Sequence, residues 1–156
     1  LRKKIKPKMD LNLKLLNLKR EKPEFKNLKY KKILKHLSKL DNSKYDIGLC
    51  VNKKIFETGT SNILFVKNNK VFSPINKFYK GITYKFFRSK IKKIINKDIP
   101  VNSLKEFDEI ILIGSGKGVA SVNIIEKIKW RRRSLKFYKK LFKFHLSATK
   151  NNLEYI

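Results

Sequence analysis

The sequence has few acidic residues, one cysteine and two histidines, and each shortage excludes a class of protein. Cys50 alone cannot form a disulfide within the chain, so a disulfide-stapled fold is excluded. His36 and His145 lie far apart without ligand-type spacing, and we therefore predict no zinc site. No apolar run approaches the length that spans a bilayer and no secretory leader is visible, so we expect a cytoplasmic protein without membrane contact.

The shortage of acidic residues leaves a formal net charge of +28. A charge of this size favours nucleic acid or an anionic membrane as a partner. The basic residues are mostly Lys, however, and they are spread along the chain together with abundant Asn and Ile, as A/T-rich codons would give. We therefore expect a solvated basic surface. A nucleic-acid-binding module stays open as the alternative, carried by Arg131–Arg133 with the aromatic residues Trp130, Phe137 and Tyr138.

The chain has 156 residues, which suits one domain. Apolar residues at a period of two predict strands, and a period of three to four predicts helices. We predict strands at 10–18, 45–51, 55–58, 62–66, 70–73, 99–101, 109–113 and 119–125, helices at 28–40, 83–96 and 132–146, and a short turn in which Ser103 and Glu106 form a capping box. This order predicts an α+β fold with antiparallel hairpins, without regular βαβ repetition.

Three local features suggest binding chemistry. The glycine-rich loop Gly114–Gly118 follows a strand, so its backbone N–H groups and the Ser115 hydroxyl can approach an anion closely. Gly81-Ile82-Thr83 precedes a helix, whose first N–H groups have no partner within the helix. Glu57 ends an apolar strand and could keep a heterocyclic nitrogen protonated. Taken singly, each feature is equally well a flexible turn, a helix cap or a strand-end charge.

Taken in order, four segments resemble the class IV aminotransferases and aminodeoxychorismate lyases. Glu57-Thr58-Gly59-Thr60-Ser61-Asn62-Ile63-Leu64 resembles their Glu-x-x-x-x-Asn-Ile-Phe signature, and 72–83 resembles their Thr-Pro…Gly-Ile-Thr-Arg stretch. Residues 108–122 resemble their Ala-Asp-Glu-x-Phe-x-Thr-Gly-Thr…Pro-Val stretch. Upstream, 23–30 resembles the segment that carries the Schiff-base lysine. The resemblance covers about residues 10 to 130.

The resemblance implies the C-terminal domain of the fold type IV pyridoxal-phosphate enzymes, a mixed, largely antiparallel sheet or barrel flanked by helices. It implies pyridoxal 5'-phosphate as cofactor and Lys26 as the Schiff-base lysine and proton carrier, with Lys29 as the second candidate. Glu57 would pair with the pyridine nitrogen, and Tyr30 would lie near the phenolic oxygen. The phosphate would be held by the amides of Ile82 and Thr83 and by Ser115, with Gly116 and Lys117 offering N–H groups to the phosphate or a substrate carboxylate.

The sequence departs from the family pattern at two positions within the matching segments. The family's Arg after Gly-Ile-Thr is Tyr84, and the Pro of its late Pro-Val pair is Ser121. Family chains are nearly twice as long, so the resemblance implies that residues 1–156 form one cofactor-binding domain without the family's smaller N-terminal domain. We expect residues 1–9 and 149–156 to be frayed and, by analogy, a homodimer.

The resemblance leaves two reactions open. Transaminases move an amino group between an amino acid and a keto acid, whereas aminodeoxychorismate lyase releases pyruvate and leaves 4-aminobenzoate for folate synthesis. Branched-chain transaminases carry an acidic residue where this chain has Gly118, so the sequence favours the lyase. A branched-chain or D-amino-acid aminotransferase and an inactive fragment remain the alternatives.

Overall fold

A computed structural model describes residues 5–23, 25, 30–75 and 78–151, and within them a nine-stranded mixed sheet carries three α-helices. The strands are β1 (Lys8–Asn17), β2 (Tyr45–Val51), β3 (Lys54–Thr58), β4 (Asn62–Lys67), β5 (Lys70–Ser73), β6 (Ile94–Asn96), β7 (Glu109–Gly114), β8 (Gly118–Ile125) and β9 (Trp130–Arg131). The helices are α1 (Lys31–Leu37), α2 (Ile82–Lys90) and α3 (Lys136–Asn151), and 3-10 turns occupy Val101–Glu106 and Glu126–Ile128.

The sheet has the order β3-β2-β1-β8-β7-β4-β5-β6, with β9 paired to β8. The hairpins β2–β3, β4–β5 and β7–β8 are antiparallel, and so is the β4–β7 pair. Strand β1 lies in the middle and runs parallel to both of its neighbours, β2 and β8. The predicted α+β class with a mixed, largely antiparallel sheet is therefore confirmed.

Both faces of the central strands are buried, as their nearly continuous apolar runs require. Along β7, Ile110 and Leu112 pack into one core, with Phe65 and Trp130. The alternate residues of β7 point to the opposite face and pack into a second core under α2 and α3. A third, smaller core lies between α1 and strand β2. The helices thus cover one face of the sheet, and the curled sheet itself encloses the core on the other face.

Several predicted elements differ from the structure. The helix predicted at 28–40 ends at Leu37. The helix predicted at 83–96 ends at Lys90, and the backbone of Ile94–Asn96 pairs with β5 in parallel register to form β6. The β-branched side chains of Ile94 and Ile95 favour this extended conformation. The strand predicted at 99–101 is only an isolated bridge between Lys54 and Pro100. Ser103 does not form a capping box; its hydroxyl donates to the Pro100 carbonyl oxygen within a 3-10 turn.

Strand and helix also extend into the chain ends that were expected to fray. Strand β1 begins at Lys8 and α3 continues to Asn151. The last helix was predicted to begin at residue 132, but it begins at Lys136, because Trp130–Arg131 pair with β8 first. Within the described residues, no helix combines the length and the apolar character needed to cross a membrane.

Candidate active site

A cleft of about 440 Å³ opens where several strands end and two helices begin. A ligand site of this size holds a molecule of cofactor dimensions. Its wall brings together residues that lie far apart in the chain: Arg20, Tyr30, Leu34, Leu37, Glu57, Gly59, Thr60, Ser61, Asn62, Tyr79, Gly81, Ile82, Thr83, Ile113, Gly114 and Ser115. Five residues predicted to bind the cofactor are among them, namely Tyr30, Glu57, Ile82, Thr83 and Ser115.

Glu57 is the only carboxylate among the described residues that line this cleft. It is the penultimate residue of strand β3 and is 4% exposed. Burial raises the pKa of this carboxyl to about 7, while the charge of Arg20 and a backbone hydrogen bond with Tyr79 act in the opposite direction. A buried acid that exchanges its proton near neutral pH suits a partner for a basic ring nitrogen.

Arg20 follows strand β1 and pairs with Glu57, with its Nε atom 3.4 Å from Oε1. Its guanidinium also donates to the Gly59 carbonyl oxygen at 3.4 Å and lies over the ring of Tyr30, 5.5 Å from the centroid. Sequence reasoning did not select Arg20. The available signal was the rarity of arginine in a lysine-rich chain, because arginine is the preferred partner of a carboxylate at a fixed geometry.

Helix α2 directs its N-terminus toward the cleft. Gly81 is the N-cap and carries no side chain that could occupy the first amides, so the N–H groups of Ile82 and Thr83 have no partner within the helix. Asn62 fixes this segment, since its side-chain amide donates to the Tyr79 carbonyl oxygen at 2.6 Å and its Oδ1 accepts from the Gly81 N–H at 3.3 Å. The helix start and the Ser115 hydroxyl together offer an anion site.

Gly116 and Lys117 are not among the described residues that line the cleft, and their predicted contact with the ligand stays a prediction. The chain turns outward after Ser115, and the space beside Gly116 is open. The Lys117 side chain reaches Asp46 instead, with Nζ 3.5 Å from Oδ2. Lys26, and with it Lys29, lies outside the described residues, so their predicted roles stay predictions.

Tyr84, which stands where the family pattern has Arg, does not replace that Arg in the cleft. Its ring is 1% exposed inside the core, and its hydroxyl lies 3.2 Å from the Ser73 hydroxyl. Ser121, the other departure, is buried in β8 and accepts a hydrogen bond from Arg132. Neither position provides a cationic group for a ligand.

Most of the basic cluster on which the nucleic-acid alternative rests makes contacts with other residues of the chain. Arg132 donates to the Met9 carbonyl oxygen and to Ser121, and Arg133 pairs with Asp108 at 3.2 Å. Trp130 is buried, with its indole N–H donated to the Phe107 carbonyl oxygen at 2.9 Å. Two of the three arginines and the tryptophan therefore contribute to folding.

The described residues fit pyridoxal phosphate. A buried carboxylate faces the cleft for the ring nitrogen, and the helix start and Ser115 provide neutral donors for the phosphate. No described acidic group besides Glu57 lines the cleft, so none would repel the phosphate there. Tyr30 and Gly59 also line the cleft, where Tyr30 adds an aromatic ring.

Comparison with known proteins agrees with this geometry. A family model described as Amino-transferase class IV matches residues 2–125. No curated protein matches the sequence at a significant level.

Solved structures share the fold at low sequence identity. A putative 4-amino-4-deoxychorismate lyase from Legionella pneumophila superimposes with a TM-score of 0.75 at 16% identity, covering 94% of this chain and 59% of that one. A branched-chain aminotransferase from Thermoproteus uzoniensis with norvaline gives 0.73 at 15% identity, covering 87% and 50%. An aminotransferase from Brucella abortus bound to PLP gives 0.69 at 20% identity, covering 88% and 54%. The chain thus spans little more than half the length of these proteins.

Proposed function

The chain belongs to the class IV aminotransferases, a family of pyridoxal-phosphate enzymes, and we propose that it binds this cofactor in the cleft and acts as an aminodeoxychorismate lyase. The observation that carries the cofactor assignment is the cleft itself. A buried carboxylate, Glu57, and a helix start with available amides line the same space. The homodimer and the cytoplasmic location belong to this proposal and stay predictions.

Bound pyridoxal phosphate supplies an electron sink for the carbanion that forms on the substrate. In this proposal the Lys26 amine binds the cofactor and then carries the proton. Glu57 holds a proton at the ring nitrogen, and Arg20 stabilises the ionised carboxylate. The amides of Ile82 and Thr83 and the hydroxyl of Ser115 hold the phosphate.

The preference for the lyase over a branched-chain transaminase rests on Gly118. This glycine has a φ of +66°, a conformation that residues with a side chain rarely adopt. A Cβ atom at this position would lie 2.6 Å from Nε2 of His145. A side chain at this position would be disfavoured by the backbone conformation and would have to displace the His145 ring. This disfavours the acidic residue that branched-chain transaminases carry here and supports the lyase.

The cofactor proposal is tested by locating the lysine that binds it. The chain is mixed with about one equivalent of pyridoxal phosphate, reduced with borohydride and digested, and mass spectrometry identifies the modified peptide. We expect modification concentrated at Lys26 and a visible absorption band that Lys26→Ala abolishes and Lys29→Ala retains. Labelling spread evenly over the many lysines, and unchanged by Lys26→Ala, would overturn the proposal.

The reaction is tested separately with two assays on the same preparation. The lyase predicts 4-aminobenzoate and pyruvate from aminodeoxychorismate, and a transaminase predicts glutamate from a branched-chain amino acid and 2-oxoglutarate. Glutamate formation without 4-aminobenzoate would overturn the lyase and favour the aminotransferase. Cofactor binding without either product would identify a binding domain that does not catalyse alone.

A further inference from the structure

Asp46 is a buried carboxylate outside the described lining of the cleft, and its partners connect it to that lining. It lies near the start of β2 with 0% exposure. Its Oδ1 accepts the Ile47 N–H at 2.7 Å, and its Oδ2 accepts the hydroxyls of Thr58 at 2.8 Å and Thr60 at 2.7 Å. Since an unpaired buried carboxylate is strongly unfavourable, this set of donors is what allows an acid at this position.

The same carboxylate also binds the glycine-rich loop. The Lys117 ammonium lies 3.5 Å from Oδ2, and its side chain is only 14% exposed. One carboxylate oxygen therefore joins two separate segments, the turn 58–61 after β3 and the loop 114–118 between β7 and β8. Both segments supply lining residues of the cleft.

Further contacts make these two segments behave as one unit. The Thr58 hydroxyl, held by Asp46, accepts the N–H groups of Ser61 at 2.9 Å and Thr60 at 3.3 Å, which fixes the turn. Gly114 packs directly on that turn, because a Cβ atom there would lie 2.9 Å from the Ser61 hydroxyl and 3.1 Å from the Thr60 carbonyl oxygen. Ser115 follows Gly114, so its place depends on this packing.

We propose that Asp46 is a positioning residue that, through Lys117 and the hydroxyls of Thr58 and Thr60, holds the two loops in the arrangement that receives the anionic end of the ligand. The inference rests on the proposed function for the identity of that ligand, the phosphate of pyridoxal phosphate. Lys117 then acts through its partner and not on the ligand, because its ammonium is turned toward a buried acid.

The test compares Lys117→Met with Lys117→Arg, Asp46→Asn and a matched control. Lys54→Met removes the same charge from an ion pair that lies at the surface, where Nζ is 2.5 Å from Asp98. Backbone hydrogen exchange is measured without cofactor, and the dissociation constant of pyridoxal phosphate is measured on the same proteins. Lys117→Met keeps the test decisive if Asp46→Asn does not fold.

In Lys117→Met we expect exchange at residues 59–61 and 114–118 to become about tenfold faster, with the strands unchanged, and the dissociation constant to rise about tenfold. Lys117→Arg should restore both values, and Lys54→Met should leave both unchanged. In the double variant Asp46→Asn/Lys117→Met, the loop exchange rate and the dissociation constant should change little beyond the larger of the two single-variant effects, since the two residues act as a pair.

Uniformly faster exchange throughout the chain, or exchange equal to that of the wild type, would overturn the positioning role. So would faster loop exchange with an unchanged dissociation constant. A wild type that does not bind pyridoxal phosphate defeats the proposed function instead. In that case the loop exchange still decides whether Asp46 and Lys117 hold the two loops together.

Discussion

At the scale of single residues, the cleft depends on charged side chains that are buried away from solvent. Glu57 illustrates this, because its carboxylate is buried and its cationic partner among the described residues is Arg20. The ion pair does not compensate the burial fully, since the pKa stays raised. A bound cationic ring would add a further positive charge beside this carboxylate.

The first prediction follows from the titration of Glu57 in the cofactor-free chain. Its folded-state pKa of about 7 lies above the ordinary value of 4.5. The folded chain therefore keeps a proton that the unfolded chain releases, and stability is lost as the pH rises toward and through 7. Relative to Glu57→Gln, which is neutral at every pH, the wild type should lose about 3 kcal/mol of unfolding free energy between about pH 4.5 and 8.

Urea denaturation of both proteins across this pH range provides the measurement. Glu126→Gln makes the same chemical change at an exposed position and should follow the wild-type profile. Parallel profiles for the wild type and Glu57→Gln would show that Glu57 is not buried in the way described.

At the scale of elements, the start of helix α3 is joined to the sheet by a buried carboxylate, in addition to the apolar core beneath the helix. Glu109 begins β7, is 2% exposed, and accepts the N–H groups of Phe137 at 2.8 Å and Tyr138 at 2.9 Å. It also accepts the Ser134 hydroxyl at 3.1 Å. A strand residue thus caps the helix, so the acidic residue of the motif at 108–110 serves to dock α3.

The second prediction concerns this cap. Glu109→Gln keeps the shape of the side chain but replaces one acceptor oxygen with an NH₂ group that faces a backbone N–H. We expect the free energy of unfolding to fall by about 2 kcal/mol. The control is Glu106→Gln, which removes an exposed ion pair with Lys67 and should lower the unfolding free energy much less than Glu109→Gln does. Urea unfolding measures both values, and hydrogen exchange should accelerate first at the start of α3. Equal effects of the two substitutions would contradict the capping role.

At the scale of the whole molecule, the net charge of +28 acts on every part of the fold. Only six ion pairs are present among the described residues, and most involve exposed side chains. Self-repulsion therefore destabilises the compact state, because unfolding separates the like charges.

The third prediction is that added salt stabilises the chain. Raising sodium chloride from about 20 mM to about 200 mM shortens the screening length, and we expect the melting temperature to rise by roughly 3 °C. Calorimetry over this range provides the measurement, with most of the rise at the low end, where screening changes fastest. A constant or falling melting temperature would show that intramolecular pairs already balance the charge.

The sequence by itself determined most of the elements and their order, because apolar periodicity and turn residues act over a few neighbouring positions. It also predicted that Tyr30, Glu57, Ile82, Thr83 and Ser115 belong to one site, through the ordered succession of motif segments. These five do line one cleft.

Only the tertiary structure decided which side chains face each other across the sheet. Arg20 beside Glu57, Lys117 on Asp46 and Glu109 at the start of α3 join positions that have no fixed spacing in the chain. Segment 94–96 became a strand for the same reason, since pairing with β5 outweighed a local helical pattern. Contacts between distant residues depend on how the sheet brings its strands together, and no local pattern encodes that arrangement.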